Sequence, residues 1–94
     1  MATDLDQREH RAVRAQEVIN NPLYVEAWNA VEQEIHKRWA QSPISDIEGQ
    51  NQLRLMLHLL ISLKENFDSV IQDGKLAAYE KQTLKQRVSS MFHR

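Results

Sequence analysis

Leu53, Met56, Leu60, Leu63, Phe67 and Val70 follow one another at steps of three, four, three, four and three. That alternation averages 3.5 residues, the period that holds one side of a helix against a partner helix. A chain with such a run must supply that helix with at least one neighbour. The same stretch carries Leu55, Leu57, Leu59 and Ile61 off the stripe. A helix with one neighbour has no use for apolar residues there, so the pattern predicts two or more contacting surfaces.

The rest of the composition points the same way. A chain of 94 residues forms a single domain, read here as 1–94. A domain of this size buries a modest share of its surface. The chain has no cysteine, so disulfides, thiolate zinc sites and cysteine nucleophiles are excluded. Oligomerisation is the ordinary remaining source of stability. Two glycines and two prolines, against abundant Leu, Ala, Glu, Gln, Lys and Arg, favour an all-α fold. The longest apolar run, Leu55 to Ile61, is interrupted by His58 and is too short to span a bilayer, so no membrane contact is expected. The acidic, polar opening Met1-Ala2-Thr3-Asp4 is unlike a secretory signal, and the expected location is a cytoplasm.

Helix boundaries follow from capping chemistry. Thr3 and Asp6 have the spacing of a variant capping box, opening a first helix with a weak apolar face of Leu5, Ala12, Ala15, Val18 and Ile19. Asn21 is a good N-cap, and Pro22 suits the first helical position. A second helix over about 22–41 carries Tyr24, Trp28, Val31, Ile35 and Trp39 on one stripe. Ser42-Pro43-Ile44 is a turn, and Ser45-Asp46-Ile47-Glu48 reads as a capping box with Ser45 as N-cap. The third helix is expected over 46–73, with Gly74 as a left-handed C-cap. A short turn makes neighbouring helices antiparallel, which gives a helical hairpin core over 22–73. A basic C-terminal helix over 75–92 completes the expected architecture, with Leu84, Val88 and Met91 as its short stripe.

Candidate chemistry is sparse. His10, His36, His58 and His93 lack the i, i+4 spacing that lets a helix grip a metal, so no metal is expected. No Gly-rich loop suggests a phosphate cradle, and no pair of carboxylates converges. The expectation is a non-enzyme without cofactors. Apolar residues are the better candidates. Leu55 and Leu59 lie off the stripe, and Phe67, Val70 and Ile71 extend past the end of the second helix. Trp39, next to the turn, is either a core anchor or an exposed hot spot; Gly49 could make room for its indole on the facing helix. These six residues form the expected oligomer or partner interface. Residues 75–94 hold Lys75, Lys81, Lys85, Arg87 and Arg94 against Glu80 alone. If nucleic acid binds, Lys81, Lys85, Arg87 and Arg94 are the expected phosphate contacts. Arg8, Arg11 and Arg14 share a face of the first helix but are interleaved with acids, the pattern of a solvated helix.

The stretch Ala15-Gln16-Glu17-Val18-Ile19-Asn20-Asn21-Pro22-Leu23, with Glu26-Ala27, Glu32, Trp39, Ser42-Pro43, Asp46-x-Glu48-Gly49 and Gly74-Lys75-Leu76-Ala77, resembles a family of short helical proteins of tailed bacteriophages. Such proteins are often encoded near virion-assembly and packaging genes. The resemblance covers about two thirds of the chain and consists of caps and turns, so it carries over no catalytic residue. It implies a structural or assembly role, in the cytoplasm of an infected bacterial host or in the virion. The expected partners are a second copy of the chain and other phage proteins. Two rival functions stand beside it: a DNA-binding packaging protein of the small-terminase type, and a small inhibitor of a host protein.

Overall fold

Each helix starts where a side chain takes up the first free backbone N–H groups. The Asp6 amide donates to Thr3 Oγ1 at 3.1 Å and the Thr3 amide donates to Asp6 Oδ2 at 3.2 Å, closing a reciprocal box. It opens α1, Asp4–Asn20. Asn21 Oδ1 accepts from the Leu23 amide at 2.8 Å, and with Pro22 behind it opens α2, Pro22–Gln41. Ser42 closes α2 through its amide to Trp39 O at 3.1 Å and its hydroxyl to Arg38 O at 2.8 Å. The third start falls one residue later than the sequence suggests. Asp46, not Ser45, accepts from the Gly49 amide at 3.0 Å, and α3 begins at Ile47. A side chain at Gly49 would collide with that capping carboxylate, so this glycine makes room for Asp46 rather than for Trp39.

The computed structural model describes residues 3–92, which form α1, α2 and α3 and contain no strand. The all-α class therefore stands, with one correction. The helices expected over 46–73 and 75–92 are a single α-helix, Ile47–Phe92. Gly74 sits inside it, and no glycine has a positive φ, so no left-handed cap forms. The physical reason is legible in the spacing. From Val70 the steps run on through Gly74, Ala77, Lys81, Leu84, Val88 and Met91, alternating four and three without a skip. A glycine that keeps the helical register, with no proline after it, continues a helix.

The chain divides into two units, one of residues 3–18 with 67–92 and one of residues 19–66. In the first, α1 lies against the C-terminal part of α3. Small residues meet here: Ala15 and Ala77 are buried, Ala77 completely, and a methyl group at Gly74 would overlap the methyl of Ala12. Phe67, Val70 and Ile71 are half-buried within this unit. In the second unit, Ile35 of α2 and Leu53 of α3 are buried. The Arg54 guanidinium stands 5.9 Å from the centre of the Trp39 ring, a cation–π distance. The turn is pinned by Gln50, whose amide donates to Pro43 O at 2.9 Å.

Candidate interaction surfaces

In the unit of residues 19–66, Ala30, Val31, Glu34, Ile35 and Arg38 of α2 line a groove together with Leu53, Met56, Leu59, Leu60 and Leu63 of α3. Its floor is Ile35 and Leu53. Val31, Met56, Leu59 and Leu63 stand at least 47% exposed around it. Met56 and Leu63 belong to the heptad stripe, so α2 leaves part of that stripe open. The rim is polar. Glu34 Oε1 accepts from Arg38 Nε at 3.0 Å, a one-turn pair with both side chains more than half exposed.

The expected interface residues fall into different settings. Leu59 lines the groove and is 62% exposed. Leu55, 59% exposed, belongs to a shallow depression with Ile47, Glu48, Asn51 and Gln52. Trp39 is half-buried under Arg54. Phe67, Val70 and Ile71, expected to need a cover from outside the hairpin, are half-buried in the unit that contains α1. Trp28 is half-buried too, its indole N–H donating to Glu32 at 3.0 Å and its ring tilted against Tyr24 at 6.3 Å.

The basic residues change standing. Lys81 is not free to reach a phosphate. Its ammonium donates to Asp6 and lies 2.9 Å from Glu9 Oε1, an ion pair without good hydrogen-bond angles on the Glu9 side. A charged residue at a stripe position must meet an opposite charge on the helix that covers it, and Asp6 and Glu9, three apart on α1, supply it. Lys81 Nζ, followed by the Thr3 amide, pulls the Asp6 carboxyl from the usual 3.8 to about 2. Asp6 first, then Glu9, raises the Lys81 ammonium in turn. Arg8 is tied down as well. It reaches Asp73 at 2.9 Å and Glu80 at 3.4 Å, and the Asp73 carboxylate raises its already high pKa. The expected arginine face of α1 is thereby reduced to Arg11 and Arg14, which are exposed beside His10. Lys85 and Arg87 are exposed on α3, and Arg94 lies outside the described residues.

His10, His36 and His58 are exposed, and His93 lies outside the described residues. Among the described residues no three His, Asp or Glu side chains gather as metal ligands, and no helix is long and apolar enough to cross a membrane. The sequence reading missed Val31, Met56 and Leu63 as surface residues and Glu34 and Arg38 as a rim. The i, i+4 spacing of that acid and base was the available signal. Comparison with family models, with curated proteins and with solved structures finds no match.

Proposed function

We propose that the protein is a non-enzymatic structural or assembly protein of a tailed bacteriophage, acting through helix-mediated self-association and contacts with other phage proteins. Its working unit is the antiparallel hairpin of α2 and the first half of α3. The supporting observation is the quantity of large apolar side chain at the surface of that region: Val31, Met56, Leu59 and Leu63 about the groove, with Leu55 beside it. Apolar residues clustered this way mark interaction sites. The phage assignment rests on the sequence resemblance, and it places the protein in the infected host's cytoplasm or in the virion. Affinity capture from infected cells, read by mass spectrometry beside purified virions, tests it. Recovery of phage structural or packaging proteins is the expected result. Recovery of one host protein at equal stoichiometry would replace this reading with the inhibitor.

A DNA-binding packaging role is the second reading, supported by the exposure of Lys85 and Arg87 on a helix segment with no acid after Glu80. The engagement of Lys81 with α1 weakens it, because a phosphate would have to displace two carboxylates.

A further inference from the structure

α2 and residues 47–66 of α3 form a two-helix layer, and such a layer has an apolar side that must be covered. Here the cover is incomplete. Ile35 and Leu53 are buried, while Val31, Met56, Leu59 and Leu63 remain roughly half open. Met56, Leu59 and Leu63 follow at steps of three and four, the spacing that meets another helix.

The rim selects the occupant. The groove encloses about 580 Å³, a volume within the range of small-molecule pockets. Its two charged groups, however, are more than half exposed and already pair with each other, which leaves neither as a dedicated anchor for a small ligand. A partner face of one charge sign would meet one like charge at Glu34 or Arg38. A second copy related by a two-fold axis brings Arg38 to Glu34 and Glu34 to Arg38, matching both at once. The chain's net charge of −1 gives little repulsion between copies.

From this geometry we infer that the α2–α3 groove is closed by the same groove of a second copy, making a four-helix bundle with reciprocal Glu34–Arg38 pairs across the two-fold axis. Four helices around one core bury Val31, Met56, Leu59 and Leu63 as knobs between the layers. The inference rests on the self-association proposed above and names the face that performs it.

Charge reversal separates the possibilities. Sedimentation velocity and native mass spectrometry would be run on the wild type, on E34R and R38E separately, on their equimolar mixture, and on Leu59→Glu. Circular dichroism would confirm helix content, since the three altered side chains are all more than half exposed. The wild type should be dimeric at tens of micromolar. Each reversal alone sets like charges opposite each other twice and should raise Kd at least about tenfold. The mixture should recover a heterodimer, because the two arginines of one rim then meet the two glutamates of the other. Leu59→Glu should be monomeric. A wild-type dimer that Leu59→Glu leaves intact would overturn this face while sparing self-association. Dissociation by Leu59→Glu without heterodimer recovery would overturn the two-fold pairing. A monomeric wild type would overturn both the face and the proposed self-association. In that case, loss of capture of another phage protein by Leu59→Glu would identify the groove's occupant as that protein.

Discussion

Gly74 lies in mid-helix, where glycine is disfavoured by about 1 kcal/mol relative to alanine. Propensity alone therefore predicts that Gly74→Ala stabilises the protein. The structure predicts the opposite. The added methyl would occupy the space of the Ala12 methyl and crowd the Arg8 carbonyl at 3.2 Å, so α1 would have to move away. Overpacking of this kind costs about 1–3 kcal/mol, which exceeds the propensity gain. Urea unfolding should show Gly74→Ala as less stable than the wild type, with Ala12→Gly in the same chain restoring most of the loss. A rise in stability would mean that the helices do not approach so closely. Asn21 offers a second check at this scale. Its side chain takes the Leu23 amide, and Asn21→Ala should cost about 1 kcal/mol through the lost cap.

α1 is the element whose attachment depends most on charge. Its one buried residue is an alanine, Ala15, and its ion-pair ties to α3 are Arg8 with Asp73 and Glu80, and Lys81 with Asp6 and Glu9. The sign of the pH response follows from Asp6. Its folded pKa is lowered to about 2, so its contribution is complete above its ordinary value of 3.8 and is lost as pH falls through about 2. Acidification from about pH 4 to pH 2 should therefore loosen α1 before residues 22–66. Hydrogen exchange by mass spectrometry should show protection of residues 4–18 falling first, and high salt at neutral pH should move exchange in the same direction by screening. Simultaneous loss across all three helices would show instead that α1 is held by packing. Lys81→Ala should reproduce the acid effect at neutral pH, seen as earlier proteolysis of α1.

At the scale of the whole molecule the open question is what meets the surface. With Lys81 engaged, Lys85 and Arg87 are the exposed cations among the described residues expected to touch phosphate. Two neutralised phosphates give a log–log salt slope of about −2, the signature of weak, nonspecific binding. Fluorescence anisotropy with labelled duplex at low salt should show this slope at most. Lys85→Ala and Arg87→Ala should weaken what binding exists, and Lys81→Ala should not. A slope of about −6 or steeper would require a larger basic surface than these residues provide, and would favour the packaging role over the assembly role.

The sequence by itself determined the local grammar of this protein. The Thr3–Asp6 box, the Asn21–Pro22 start and the turn after Gln41 are set by neighbours within a few residues, and each stands where its residues predict it. The helical class follows from the same short-range preferences. Tertiary structure decided what a residue does when two opposite local meanings are available. Gly74 reads as a stop, yet a second helix coming close makes it a seat for Ala12, because only a missing side chain allows that approach. Lys81 reads as a free cation on a basic helix, yet Asp6 and Glu9, more than seventy residues earlier, consume its charge. Met56 reads as a residue of the heptad stripe and Leu59 as one off it, and only the placement of α2 shows that both border a half-open groove. Capping depends on backbone groups that the adjacent sequence supplies. Burial and charge pairing depend on which distant segment arrives, and a single chain of letters does not carry that distance.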